Sequence, residues 1–104
     1  MTSPLRVYQQ QAVLSATPAE LVDKLYCIGL AAARSGDATR VRRALVELTA
    51  ALDHERGGDV AGGLHDLYDF ALRATNEGDL ETASEILDGL RDAWRRSVLA
   101  PGAL

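Results

Sequence analysis

The chain repeats itself. Leu25–Asp37 (LYCIGLAAARSGD) and Leu67–Asp79 (LYDFALRATNEGD) align without a gap, 42 residues apart in a chain of 104. The match carries on downstream, where Val41, Leu45, Leu48 and Leu52 fall on Ala83, Leu87, Leu90 and Trp94. Each unit reads as helix, Gly-Asp turn, helix. Gly36 and Gly78 stand where a helix closes in the left-handed conformation that glycine adopts without steric cost. Asp37 and Asp79 then stand where a side chain accepts a bond from the free N–H groups of the next helix. Connections this short make sequential helices antiparallel neighbours, so two such hairpins predict an all-α fold, an antiparallel up-down-up-down four-helix bundle. A tetratricopeptide-type array is the competing repeat, but its period is shorter and such arrays need more than two units.

A second local pattern fixes where the bundle begins. Thr17 occupies an N-cap position, Pro18 the first helical position, and Glu20 the returning arm of a capping box. Residues 1–16 therefore form an N-terminal lead segment, predicted to cap the bundle, and residues 17–100 the bundle itself. Helices are expected at about 18–35, 38–55, 60–77 and 80–99. Arg56-Gly57-Gly58-Asp59 reads as the link between the hairpins, with Asp59 capping the third helix. Pro101-Gly102 is a stop signal.

Composition narrows the function classes. One domain is what 104 residues allow. With 47% hydrophobic and 25% charged residues the chain has the profile of a soluble globular protein. No apolar run reaches bilayer length, so membrane insertion is not expected. MTSPLRVYQQ lacks the basic start and apolar block of a secretory signal. A single cysteine rules out an internal disulfide and points to a cytoplasmic location. The net charge of −4 speaks against a nucleic-acid partner. Arg40, Arg42 and Arg43, the only basic cluster in the first half, read as a solvated helix face.

The helices are of two kinds. The second (Val41, Leu45, Leu48, Leu52) and the fourth (Leu80, Ala83, Leu87, Leu90, Trp94, Val98) each carry one apolar stripe. Trp94 is expected to pack opposite Leu52, its equivalent in the repeat. The first helix carries two: Leu21, Leu25, Ile28 and Ala32, taken as the core stripe, and Val22, Tyr26, Gly29 and Ala33 beside it. Leu30 points away from the first of these. In the third helix Val60, Leu64, Leu67 and Ala71 are expected to face inward, with Tyr68, Phe70 and Leu72 on the flanks. A helix apolar on most sides needs more cover than its bundle neighbours supply. That cover is either the lead segment, through Val7, Tyr8, Val13 and Leu14, or a partner helix in an apolar groove.

Residues with chemical potential lack the company that catalysis or metal binding requires. His54 and His65 do not have the spacing of an established metal site. Cys27, inside the apolar run of the first helix, reads as a packed small hydrophobe. Ser15 and Ser35 are turn residues without a triad pattern. Gly57-Gly58 and Gly62-Gly63 lack the strand and lysine of a phosphate loop. No enzyme activity and no cofactor is expected.

Several stretches resemble the flagellin export chaperones of the FliS family. Tyr8-Gln9-Gln10, Ala16-Thr17-Pro18-x-Glu20-Leu21 and Leu25-Tyr26 match the family's opening. Leu64-x-x-Leu67-Tyr68-Asp69-Phe70 is similar to its third-helix motif, and Leu90-Arg91-Asp92-Ala93-Trp94 to its fourth-helix signature. The anchors keep the family's order and cover residues 8–98. Three departures stand out: Cys27-Ile28 replaces an acidic or amide residue followed by glycine, Gly63 stands where Asn is common, and both hairpins are shortened.

The resemblance implies a cytoplasmic chaperone that binds the disordered C-terminal segment of flagellin, prevents premature polymerisation and aids delivery to the flagellar export gate. Tyr8 and Val13 are then lead-segment contacts. Val22, Tyr26, Leu30, Tyr68 and Leu72 are candidates for a groove on the first and third helices, which would order the client by coupled folding and binding. The rival reading is a homo-oligomeric structural or adaptor bundle, at its simplest a homodimer, whose wide first helix packs on its own copy.

Overall fold

The computed structural model describes residues 17–99. Among these, four helices form the bundle: α1 (Pro18–Arg34), α2 (Ala38–Ala50), α3 (His54–Asn76) and α4 (Leu80–Trp94), with a π-helical turn, Arg95–Leu99, continuing α4. The fold is the all-α bundle that the repeat predicts. Packing runs cyclically, α1 on α2, α2 on α3, α3 on α4 and α4 on α1. α1 and α3 thus occupy opposite corners.

Local chemistry explains the helix ends. Thr17 Oγ1 accepts from the Glu20 N–H at 3.1 Å while Glu20 Oε2 accepts from the Thr17 N–H at 3.4 Å, completing the capping box. The two Gly-Asp turns are near copies. Gly36 and Gly78 have φ of 79° and 82°. The Asp37 N–H reaches the Ala32 carbonyl at 2.9 Å, and the Asp79 N–H reaches the Ala74 carbonyl at 2.8 Å. With the Gly36–Ala33 and Gly78–Thr75 bonds, each α-helix end is a Schellman closure. Each aspartate then caps the next helix, accepting from the N–H of Arg40 at 3.1 Å or of Thr82 at 3.0 Å.

The link between the hairpins departs from expectation. α2 stops at Ala50, and Asp53 rather than Asp59 caps α3, accepting from the Arg56 N–H at 3.1 Å. A single helical turn precedes a break at Gly58, whose φ of 49° and ψ of −124° lie outside any helix. Only glycine enters that region without strain. An aspartate three residues before an available N–H is sufficient to start a turn, so the chain resumes helix earlier than the glycine pair suggests.

The core inherits the repeat. α1 buries Tyr26, Gly29, Leu30, Ala32 and Ala33; their equivalents Tyr68, Ala71, Ala74 and Thr75 are buried in α3, and Leu72 is half-buried. Tyr26 and Tyr68, equivalent positions, meet at the centre with hydroxyls 2.6 Å apart and rings at 6.3 Å. One side chain from each diagonal helix thereby satisfies the other's only polar atom in a dry interior. Thr75, the one buried polar residue among those described, donates to the Ala71 carbonyl at 2.8 Å. Trp94 packs edge-on to Tyr26 at 6.3 Å, and its indole N–H donates to the Ala19 carbonyl at 2.9 Å. It tethers the end of α4 to the first turn of α1, a contact that its pairing with Leu52 did not suggest.

The two stripes of α1 divide differently from the sequence expectation: Ala32 is buried as expected and Leu25 packs partly against the core, but Leu30, expected to point away, is buried too. Val22, Tyr26, Gly29 and Ala33 face the interior, whereas Ile28 is 47% exposed. The cause is steric. A Cβ on Gly29 would sit 3.1 Å from Leu87 Cδ1 and 3.3 Å from the Ala44 Cβ, so α1 nests between α2 and α4 on its smallest residues. α3 follows the same rule: Ala61, Tyr68 and Ala71 turn inward, and Val60 and Leu67 are exposed.

Candidate partner-binding groove

With Gly29 and Ala33 against the core, the larger residues of α1 are left outside. Pro18, Leu21, Leu25 and Ile28 line a cleft of about 600 Å³ closed on the far side by Glu47, Ala50 and Ala51 of α2. It continues past Leu25 and Ile28 into a second hollow of about 390 Å³ bounded by Arg40, Arg43, Ala44 and Val46. From Pro18 to Ile28 the open stripe runs about 15 Å at helical rise, the length of roughly three turns of a partner helix. The floor is aliphatic. The rim carries Lys24, Arg40 and Arg43 against one acid, Glu47, a local positive excess on a chain of net charge −4.

A separate hollow of about 290 Å³ opens beside the first turn of α3, with Asp53, Arg56 and Gly57 along its edge. Val22, Leu48, Leu52, Leu64, Tyr68 and Trp94 are among its walls. Leu52 and Trp94 both line it. The family profile described as "Flagellar protein FliS" matches residues 29–100.

The chain belongs to the FliS family. It is also similar to the flagellar secretion chaperone FliS of Salmonella typhimurium (strain LT2), at 29% identity over 113 aligned residues that cover 88% of this chain and 84% of the relative. No solved structure matches. The matched profile begins at Gly29, directly after Cys27-Ile28, where this FliS-family chain departs from the family's usual residues.

Of the residues that sequence reasoning selected for a FliS groove, Val22 lines both the α1–α2 cleft and the hollow beside α3. Tyr26, Leu30 and Tyr68 are buried in the core at 1%, 1% and 2% exposure. Leu72 is half-buried against the same core. Tyr8 and Val13 lie outside the described residues. α1 and α3 stand at opposite corners and meet through the tyrosine pair, so the open apolar cleft lies between α1 and α2 instead. Leu21, Leu25 and Ile28 form its floor, the stripe first assigned to the core. The signal that identifies them is in the repeat: small residues at Gly29 and Ala33 correspond to Ala71 and Thr75, and small residues permit close helix approach.

The remaining chemical residues have local partners. Cys27 is half-buried at the α1–α4 edge, its Sγ 3.2 Å from an Arg95 nitrogen. Arg95 also pairs with Asp23 at 2.8 Å, and that carboxylate holds the guanidinium pKa above its ordinary value. Arg42 is not merely solvated; its Nε donates to Asn76 Oδ1 at 2.7 Å, tying α2 to the end of α3. The His54 and His65 rings lie 6.1 Å apart beside the Gly58 break. Among the described residues no group of three or more His, Cys, Asp or Glu side chains is placed to hold a metal, and no helix is long and apolar enough to cross a membrane.

Proposed function

We propose that this FliS-family flagellar chaperone works in the cytoplasm by receiving the disordered C-terminal segment of flagellin in the α1–α2 groove. There it blocks premature polymerisation and accompanies the subunit to the export gate. The observation that carries the reading is the open stripe of Leu21, Leu25 and Ile28 beside an aliphatic wall on α2. A disordered segment with one apolar helical face cannot bury that face alone; a preformed groove supplies the missing half and orders it on binding. Lys24, Arg40 and Arg43 favour a client whose apolar stripe is flanked by acids. No nucleotide is required for binding and release of this kind.

Residues 1–16 fit the same scheme as a removable cap. They join the bundle at Thr17, next to Pro18 at the mouth of the groove. Deleting them should raise affinity for a flagellin C-terminal peptide, since a competing intramolecular occupant is removed.

The decisive measurement is calorimetric titration of the chain with that peptide, alongside light scattering. Replacing Ile28 by Ser should weaken binding by about tenfold or more, as loss of a central apolar anchor does. A stable dimer that gives no heat with the peptide would instead establish the homo-oligomer reading and overturn this one.

A further inference from the structure

The internal repeat places a second apolar face on the molecule, opposite the first. Leu25, half-buried, and Ile28, exposed, correspond to Leu67 and Phe70, which are both exposed, at 43% and 58%. Phe70 borders a cleft of about 310 Å³ between α3 and α4, with Ala74 on its own helix and Thr82 across the gap. Gly63 continues the stripe one turn before Leu67, and Val60, 71% exposed, extends it further. Spacing of 60, 63, 67 and 70 is the seam of a helix that packs against another helix. Among the described residues nothing covers it.

The rims of the two faces carry opposite charge. Lys24, Arg40, Arg43 and Glu47, around the first groove, correspond in the repeat to Asp66, Thr82, Glu85 and Gly89, of which Thr82 lines the second cleft. At these four positions three cations and one anion become two anions and no cation. Arg73 lines the Phe70 cleft but is held in an ion pair with Asp69 at 2.7 Å, and Glu77 and Asp79 line the same cleft. Glu81 adds a further exposed acid in the first turn of α4. A repeat that keeps its apolar stripe while inverting its rim offers a different partner the same kind of seat.

We propose that the α3–α4 face is a second docking surface, which takes a basic amphipathic helix from a partner other than the occupant of the α1–α2 groove. Leu67 and Phe70 anchor the apolar stripe of that helix, and Asp66 and Glu85 select for lysine or arginine beside it. The proposal needs no client in the first groove. It holds or fails independently of the flagellin reading.

The test uses the full chain carrying Ile28→Ser, which silences the first groove. It is titrated by fluorescence anisotropy with a Leu-striped helical peptide flanked by Lys, and with its Glu-flanked twin. The Lys peptide should bind about tenfold more tightly at low salt, with the gap closing near molar salt. Adding Phe70→Ser should weaken it about tenfold or more, while the pair Asp66→Lys and Glu85→Lys, both exposed, should reverse the preference between peptides. That charge reversal leaves the apolar residues in place, so it decides the matter even if Phe70→Ser perturbs folding. Equal binding of the two peptides would overturn the proposal. So would failure of the full chain to bind either one, the outcome expected if its own terminal residues hold the face. A dimer by light scattering that Phe70→Ser dissolves would overturn it in favour of a second copy.

Discussion

The α1–α2 hairpin buries Val41, Ala44, Leu45 and Leu48 on its second helix. The α3–α4 hairpin buries Ala83 and Leu87 at the equivalent positions and half-buries Ile86 and Leu90. Both hairpins turn through a left-handed glycine into a capping aspartate. Their outer surfaces diverge: Lys24, Arg40 and Arg43 line one groove, and the repeat puts Asp66, Thr82 and Glu85 at the equivalent positions of the other hairpin. The interior is held by packing, which constrains volume at both copies alike. The exterior is free to vary, and there charge has been inverted.

The largest test of the shared interior compares Leu45→Ala with Leu87→Ala. Both side chains are fully buried, at 1% and 0% exposure, and they occupy equivalent positions. Each truncation removes transfer energy and leaves a cavity, costing about 2–5 kcal/mol. Denaturant melts should give losses that agree to within about 1 kcal/mol. A much smaller loss at Leu87, which packs onto Gly29, would show that α1 settles into the void and that the halves are not equivalent.

The tyrosine bridge is the next largest effect. Tyr26→Phe or Tyr68→Phe leaves one buried hydroxyl without its partner, at a cost of about 1–3 kcal/mol. The double substitution removes both polar groups and should cost less than the two singles combined, a coupling that a double-mutant cycle measures. The pair also predicts a pH dependence. Burial, then the hydrogen bond with Tyr68, raises the Tyr26 pKa well above the usual tyrosine range; burial likewise raises that of Tyr68. The neutral forms are therefore favoured in the fold. Their contribution is complete below the unfolded value near 10 and declines as pH rises above it toward the folded values, because the unfolded chain loses its protons first. Thermal melts between pH 8 and pH 11 should show this alkaline loss, and the double phenylalanine variant should show less of it.

The bridge also marks how far the sequence could be read. The 42-residue offset established the helix order, the two Gly-Asp turns and the aspartate caps that follow them, because those depend on neighbours a few residues away; it did not reach the link, where Asp53 rather than Asp59 caps α3. It also contained the answer to which stripe of α1 faces inward, since Tyr26 and Tyr68 are equivalent and Gly29 aligns with Ala71. Hydrophobicity alone favoured Leu21, Leu25 and Ile28 for the core. The structure buries the smaller set because close approach of α1 to Leu87 and Ala44 needs a glycine at position 29. That preference is set by three helices at once, so periodicity in one helix cannot reveal it. For the same reason the open cleft lies between α1 and α2, away from the buried Tyr26, Leu30 and Tyr68: two apolar stripes were visible, but not which corner of the bundle each would occupy. The inversion of rim charge was legible throughout, once equivalent positions were compared.

A smaller effect separates the two turns. Asp37→Ala removes one capping bond and should cost about 1 kcal/mol. Asp79 accepts a second bond, from the Thr82 hydroxyl at 2.6 Å, a contact for which Arg40 offers no counterpart. That hydroxyl, and then the backbone N–H of Thr82, hold the Asp79 carboxyl below the usual carboxylate range. Its stabilising effect is present above the unfolded value and fades as pH falls through the folded one. Asp79→Ala should therefore lower Tm more than Asp37→Ala at neutral pH, with the difference shrinking in acid. Equal losses would mean that the Thr82 hydroxyl bond adds nothing.

The smallest expected effect on stability is at Ile28 and Phe70, the equivalent residues of the two outer faces. Each keeps about half its surface in water, at 47% and 58% exposure, so little transfer energy is at stake on folding. Replacing either by Ser should change stability by no more than about 1 kcal/mol, toward the low end of what single substitutions do. The same substitutions should separate sharply in binding, Ile28→Ser acting at the positively rimmed groove and Phe70→Ser at the acidic one. If Ile28→Ser instead destabilised the chain as much as Leu45→Ala, residues outside 17–99 would have to be covering it in the folded protein. The α1–α2 stripe would then be interior rather than a site. Measuring stability and peptide affinity on the same two variants distinguishes a residue kept for packing from one kept for contact.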